Sequence, residues 1–399
     1  MPYYIGDVIR DSDRLIVRTP EEFRLAGIDV RLKSRVEEID SRKGMVRLAD
    51  GSGIPYDRLV LATGSEALLP GVPGQDLEGV FTLRTLHDAI RIKTCIEKKN
   101  CRKAVILGAG FISMEMCEAL RSRHMEVTVI HRGRHPIHRW DPELSAIAID
   151  LLRSRGVDFC QDTSIRRIEK SGGGLLRVIT DRGEVETDIV LLAIGITPNA
   201  VLAKAAGIKL GESGAVAVNF AQQTSHEGVY AAGDCCEVYH RVAQNWVYFP
   251  LGDIANKQGR TAGNNIGSNP AVFPGIVGAH AFKLFHLEIA STGLDERESV
   301  RSGYKPLSVI VWDPSVSKAL AEPDDRTGLK LIADAASGKL LGAQAIGRDA
   351  VRKIDTLSAA LWSGIRIDEL KMLDLAYSPP FSDAWNLIHI AARLLQKKL

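Results

Sequence analysis

The residues best suited to chemistry lie in 105–115, VILGAGFISME. Ala104, Val105, Ile106 and Leu107 read as a buried strand, Gly108-Ala109-Gly110 as a tight turn, and 111–123 carries helical spacing. Strand, glycine turn and helix in that order open a βαβ unit of the kind that binds a dinucleotide. Without a Cβ, Gly108 can turn sharply and Gly110 can let the backbone approach a pyrophosphate. The helix N-terminus supplies N–H groups and a positive dipole end. Ser113 stands where Gly or Ala ordinarily packs helix against strand. A second strand, 126–130, ends in His131-Arg132-Gly133-Arg134. An acidic residue there would hold a ribose 2′-hydroxyl and favour NADH. The cations suit a 2′-phosphate, so NADPH is the expected nucleotide, with ordinary solvated loop charges as the alternative.

Two further strand ends carry small and polar residues. The strand 57–61 ends in Ala62-Thr63-Gly64-Ser65, and 228–234 delivers Ala232-Gly233-Asp234. The Asp234 carboxylate can accept hydrogen bonds from polyol hydroxyls, while Gly233 admits close backbone approach. Each alone is an ordinary turn. The vicinal Cys235-Cys236 are expected to stay reduced, because a disulfide between neighbours is strained. Residues 250–267 read as a helix with small residues on one face.

The remaining elements frame these stretches. Residues 1–80 read as strands (15–17, 29–32, 35–39, 45–48) with a short helix at 21–25. A Pro/Gly-rich linker covers 70–79. Helices at 85–98 and 142–155, a strand at 157–160 and hairpin strands at 165–169, 175–180 and 184–186 follow. The apolar strand 188–195 ends in Gly195-Ile196-Thr197-Pro198-Asn199, a crossing back to the first part. From about residue 278 the pattern becomes a separate α+β domain. It has a hairpin around Ser337-Gly338, helices at 350–363 and 368–373, and a last helix to Gln396 that Ser382 is placed to cap. Its Leu357, Leu361 and Leu387 suit a core or a subunit interface.

The 399 residues suggest two to three domains, and 45% hydrophobic with 25% charged content is that of a soluble globular chain. A net charge of +2 gives no reason to invoke nucleic acid or an anionic membrane. The longest apolar run, 189–196, is too short to span a bilayer. The N-terminus has no signal-peptide pattern. Six cysteines show no CxxC and no metal spacing, which fits a reducing cytoplasm.

Taken together, ATGS, GAGFISME, AIGITPN and AAGD occur in an order and spacing that resembles the flavin-dependent pyridine nucleotide-disulfide oxidoreductases. The branch of coenzyme A-disulfide reductases, NADH oxidases and NADH peroxidases is the most similar. PYYIGDVI, YDRLVLATGS, PLGDIANKQGR, LLGAQAIG and DLAYSPPFS extend the resemblance over the chain. It implies an α/β fold with two Rossmann-like domains plus a C-terminal α+β dimerisation domain. The FAD domain would be 1–80 with 197–277, the NAD(P)H domain 81–196, and the dimerisation domain 278–399. By the same resemblance Thr63 and Gly64 lie along FAD and Asp234, after Gly233, binds its ribityl chain. Pro250, Leu251, Lys257 and Gln258 pass the flavin ring. Gly108, Gly110 and Glu115 match the NAD(P)H motif, with Ser113, His131, Arg132, Arg134 and Gly195 completing the cofactor set. Tyr377 matches a tyrosine that reaches a partner subunit's thiol site and is the catalytic candidate. The implied activity is FAD-dependent reduction of coenzyme A disulfide, or a related disulfide or polysulfide, by NADPH (or NADH) in a homodimer. An NAD(P)H oxidase or peroxidase, and a non-catalytic NADP-binding remnant, are the alternatives. In the family a first βαβ element and a redox cysteine precede the PYY stretch. The expectation is therefore an incomplete start, with FAD held weakly by the chain as written.

Overall fold

The computed structural model describes every residue except His138, Pro323 and Asp324. It divides into two compact units: Met1–Arg10 with Ala67–Gly195 and Val277–Leu399, and Asp11–Glu66 with Ile196–Ile276.

The first unit contains a parallel sheet with its helices. In chain order these are β1 (Val80–Thr82), α1 (Leu86–Lys99), β2 (Lys103–Leu107), α2 (Phe111–Ser122), β3 (Glu126–Ile130), α3 (Pro142–Ser154), β4 (Val157–Cys160) and β5 (Ile189–Leu192). The strands lie in the order β1-β5-β2-β3-β4, all parallel. β5 is buried at every position and β2 at all but Lys103, as expected of strands covered on both faces. Leaving β2, the chain crosses through α2 to β3 on one side and later returns to β5 on the other. The β2–α2 loop therefore sits at a topological switch point, where such sheets place ligands. α1 begins with a capping box between Thr85 and Asp88. α2 has Gly110 as its N-cap and no side-chain cap. The short helix Pro2–Ile5 also packs in this unit, where Lys93 lies 2.7 Å from Asp7 and 4.3 Å from the centre of the Tyr4 ring. The opening residues, grouped with the flavin part on sequence grounds, thus pack beside α1 and α2.

The same unit holds a five-stranded antiparallel sheet: β6 (His280–Leu284), β7 (Leu287–Gly293), β8 (Pro306–Asp313), β9 (Thr327–Asp334) and β10 (Leu340–Gly347), ordered β6-β7-β10-β9-β8. β9 and β10 are buried along their whole length. Helices α4 (Ala350–Ser363) and α5 (Leu387–Gln396) follow. The cap of α5 differs from expectation. Asn386 takes the N-cap role, its side chain accepting from the Ile388 N–H, while Ser382 is buried and accepts from Asn386 Nδ2. The helix expected at 368–373 is the shorter Ile367–Leu370.

In the second unit, Val36–Asp40, Met45–Leu48 and Gly53–Pro55 form an antiparallel sheet, and Leu59–Leu61 pairs in parallel with Val229–Ala231. Ile39, Val46, Leu61, Val216 and Val229 form its core. The strands expected at 15–17 and 29–32 do not form. Ser12–Leu15 is a 3-10 turn started by Asp11, whose side chain accepts from the Asp13 N–H, and Val17 and Leu32 are exposed. An apolar run without a partner surface gains nothing by becoming a strand.

A buried ion cluster ties α3 to the antiparallel sheet. Lys330 and Gln344 are opposite each other in the β9–β10 register, and both reach Asp141 at the start of α3. Lys330 Nζ lies 3.2 Å from Asp141 Oδ2 and 2.8 Å from Glu296 Oε1, and Gln344 Oε1 accepts from the Asp141 N–H at 3.0 Å. Burial pushes the Asp141 carboxyl above its ordinary value while Lys330 pulls it back. Removing one partner of a buried pair leaves the other uncompensated. Lys330→Met should lower unfolding stability by about 3 kcal/mol, read from the denaturant midpoint, and Asp141→Asn should cost less.

Candidate functional site

The glycine loop of the first unit is built by contact as much as by turning. Gly108 has φ +100, and a Cβ there would stand 2.3 Å from the Ala193 carbonyl oxygen just past β5. Ser113 is fully buried and donates to the same carbonyl at 3.4 Å, so it serves helix–strand packing and faces no open space. Gly110 is different: its φ is −84, and a Cβ would meet nothing within 4 Å. The open space lies at the uncapped N-terminus of α2, whose first turn carries no acidic residue. An anion placed there meets free N–H groups and the positive dipole end. Glu115, one turn on, is partly buried, and burial, with Glu118 adding to it, pushes its carboxyl up. Gly195 (φ +133) ends the Ala67–Gly195 segment of this unit, and its carbonyl accepts from the Leu68 N–H.

Beyond β3 the cations separate into two kinds. His131 turns its ring back into its own loop, Nε2 lying 3.0 Å from the His135 carbonyl, and Gly133 leaves room for it. Burial lowers its pKa, so the ring is neutral near pH 7. The expectation that His131 adds positive charge is therefore corrected. Arg132 and Arg134 are exposed and make no ion pair among the described residues.

One supporting contact had no sequence signal. Phe111, the first residue of α2, packs on His280 and Phe282 of β6, with ring centres 4.8 and 5.1 Å away. Burial drops the His280 pKa to about 4, so this ring too is neutral.

In the second unit three distant motifs meet. Thr63 Oγ1 donates to the Asn199 carbonyl at 2.6 Å, and the Asn199 N–H donates to the Gly64 carbonyl at 2.9 Å. Ser65 Oγ donates to Asp234 Oδ2 at 3.3 Å. Gly233 (φ +82) donates its N–H to Gln258 Oε1 at 2.9 Å, and Gln258 Nε2 donates to the Glu237 carbonyl. Gln258 is 1% exposed and works as a brace between the helix Gly252–Ile266 and the Gly233 turn. Lys257 is exposed and pairs with Asp253. Leu251 is the N-cap of that helix, next to Pro250, and lines a recess with Gly233, Asp234, Cys236, Ala255 and Gln258. Asn199 and Ser65 were absent from the sequence-derived set. Their signal was available in the ITPN and ATGS stretches.

Both vicinal thiols are free and donate to backbone carbonyls, Cys235 to Leu61 and Ala232, Cys236 to Gly233. Tyr377 is 57% exposed in the turn before α5, far from the glycine loop in sequence, and Phe381 and Trp385 later in the same stretch are exposed as well.

Residues 8–256 match the family model for pyridine nucleotide-disulphide oxidoreductase, and residues 279–388 match the dimerisation domain of that family. The chain belongs to this family. Its members are FAD-dependent oxidoreductases that use NAD(P)H. A CoA-dependent NAD(P)H sulfur oxidoreductase from Pyrococcus furiosus is 36% identical over 98% of this chain and 89% of its own length. An NADH oxidase from Methanocaldococcus jannaschii is 32% identical, covering 100% of this chain and 90% of that protein. Among solved structures, the NAD-dependent persulfide reductase from A. fulgidus matches with a TM-score of 0.95 at 36% identity, over 100% of this chain and 75% of that one. Among the described residues no helix is long and apolar enough to cross a membrane.

The open, uncapped start of α2 fits the pyrophosphate of the family's nicotinamide nucleotide. The Asp234 carboxylate beside the Gly233 turn is an acceptor suited to polyol hydroxyls such as those of its flavin, while the recess these residues line is too tight to admit a water molecule. The two glycines give separable outcomes. Gly110→Ala should leave the unfolding midpoint near wild type yet weaken NAD(P)H binding at least about tenfold, measured by nucleotide fluorescence titration. Gly108→Ala should destabilise the fold itself, since its methyl group meets backbone.

Proposed function

We propose that this chain is an NADPH-dependent reductase of coenzyme A disulfide, or of a related low-molecular-weight disulfide or polysulfide, acting as a homodimer. The observation that carries the nucleotide choice is the pair Arg132 and Arg134, exposed and without ion-pair partners among the described residues immediately after β3. No carboxylate stands at that strand end to hold a ribose 2′-hydroxyl. The N-terminus of α2 binds the pyrophosphate through backbone N–H groups, and the two guanidiniums hold the 2′-phosphate by charge-assisted hydrogen bonds. Asp234 accepts from the hydroxyls of the flavin's polyol chain, while Gly233, braced by Gln258, keeps the backbone close. Bound FAD supplies the two-electron carrier between nicotinamide and disulfide. The disulfide reading is supported by the CoA-dependent sulfur reductase and the persulfide reductase among the relatives. A homodimer is supported by the match to the dimerisation domain and by Met372, Tyr377, Phe381 and Trp385, apolar or aromatic and exposed in that region. Tyr377 is the residue of this chain assigned to a partner subunit's thiol site. The three-domain division 1–80 with 197–277, 81–196 and 278–399 belongs to this reading, except that Met1–Arg10 and the stretch from Ala67 pack with the nucleotide unit.

The M. jannaschii NADH oxidase favours a second reading, with oxygen as acceptor. The purified chain, supplied with FAD and NADPH, is to be assayed without air for thiol release from coenzyme A disulfide, and in air for oxygen uptake. Thiol release coupled to NADPH loss is the expected result. Oxygen consumption without thiol release points to the oxidase, and NADPH binding with no turnover sinks both enzymatic readings.

Replacing both arginines, as Arg132→Ala with Arg134→Ala, should weaken NADPH by about tenfold or more and leave NADH binding nearly unchanged. An equal loss for both nucleotides would refute the 2′-phosphate role.

A further inference from the structure

Two thiols outside both cradles meet at the end of α1. Asn100 takes left-handed backbone (φ 49, ψ 47), and the Cys101 N–H returns to the Ile96 carbonyl at 3.0 Å. This Schellman-type closure folds the chain back over the last helical turn. It brings the Cys101 side chain onto Cys95, the Cys101 thiol donating to the Cys95 carbonyl oxygen at 3.6 Å. The partners are unlike. Cys101 is buried at 5% exposure, whereas Cys95 is partly exposed.

The environment divides their chemistry as well. The neighbouring Cys101 thiol, helped by Lys99, lowers Cys95 to about 7 against burial and the opposing charges of Glu78 and Asp188. The same contact, with burial, pushes Cys101 well up. Near neutral pH the thiolate therefore resides on the sulfur that a reagent can reach, and the proton stays on the sulfur behind it. The attacking thiol is most effective when its pKa lies near ambient pH. The other four cysteines lack this arrangement. Burial pushes up both Cys117 and Cys160, the latter to about 11; the Cys236 thiol lowers its neighbour Cys235 to about 6, but Cys235 is wholly buried and Cys236 nearly so, and no reagent reaches either sulfur.

We propose that Cys95 and Cys101 form a thiol–disulfide exchange site that reacts with low-molecular-weight disulfides and closes to an intramolecular disulfide. The Cys95 thiolate attacks one sulfur of R–S–S–R, forming Cys95–S–S–R and releasing one thiolate. Cys101 gives its proton to solvent and attacks Cys95 Sγ, expelling the second thiolate. Both released thiolates take up protons. The two protein thiols are oxidised and the reagent is reduced to two R–SH, so neither flavin nor nicotinamide takes part. The product would staple the end of α1 to the start of β2, where the Arg102 and Lys103 N–H groups already donate to Asp188 at 2.7 and 2.8 Å.

The test uses the reduced full chain, freed of reductant and treated with 2-hydroxyethyl disulfide, followed by tryptic mapping without reduction. Peptide 94–98 should be found linked to peptide 100–102. Cys101→Ser should instead hold a stable mixed disulfide on Cys95, and Cys95→Ser should leave Cys101 alkylatable only after unfolding. The rate should rise about tenfold per pH unit below the Cys95 pKa and level off above it. A wild-type chain that keeps a mixed disulfide on Cys95 with Cys101 still a thiol overturns the proposal. So does one in which both cysteines remain reduced while other sites react. The wild-type peptide map decides without depending on how either variant folds.

Discussion

The first unit depends on the approach of Gly108 to the Ala193 carbonyl. At φ +100 and with a would-be Cβ 2.3 Å from that oxygen, only glycine fits. The Ala193 N–H donates to the Leu107 carbonyl at 2.8 Å, continuing the β2–β5 pairing one step past Leu107↔Leu192. Ser113 adds a hydrogen bond to the same Ala193 oxygen. The end of one strand, the end of its neighbour and the first turn of α2 are thus tied at a single peptide. The uncapped N–H groups beyond Gly110 point where they do because this junction leaves α2 no other start.

The antiparallel sheet holds the same helix from outside. Phe111 rests on His280 and Phe282, and Glu118, two turns along, accepts from Lys283 Nζ at 2.6 Å and from the Phe285 N–H at 2.9 Å. The exposed ion pair contributes little, on the order of 1 kcal/mol or less. The partly buried aromatic contact and the Lys330 cluster at the start of α3 carry more of the energy. Burial keeps His280 neutral, so its contact with Phe111 carries no charge that must be desolvated. The region matched to a dimerisation domain therefore also braces the nucleotide-binding helices within its own chain.

Much of this was legible in the sequence, for reasons that differ by element. β3 and β4 were readable residue for residue, since short apolar runs between turn signals have one sensible conformation in a βαβ context. α4 was equally clear from its apolar spacing, and the structure closes it with Gly364 in left-handed backbone. The apolar residues near 15–17 and 29–32 misled because strand formation needs a partner surface that local sequence does not reveal. Ser382 lost the cap of α5 to Asn386 because the chain turns first and the helix starts later. The Ala193 carbonyl was invisible, since a backbone atom has no residue signature.

The site residues sort by the same logic. Ser113, Gln258 and His131 sit in motifs that meet ligands, yet each spends its polar atoms on the protein itself: on Ala193, on Gly233 and Glu237, and on His135. Motif spacing records that a residue type is needed, whether the need is contact with a ligand or support for the residue that makes it. In the proposed reading the nucleotide cradle is largely backbone, with Arg132 and Arg134 as its exposed charges. Backbone N–H groups at a helix start recognise a pyrophosphate regardless of what is reduced downstream. Relatives reducing sulfur compounds and relatives named as oxidases can therefore share this cradle at comparable identity to the chain. The choice of acceptor must rest on residues that touch the acceptor, and the glycines that shape a nucleotide loop carry no information about it.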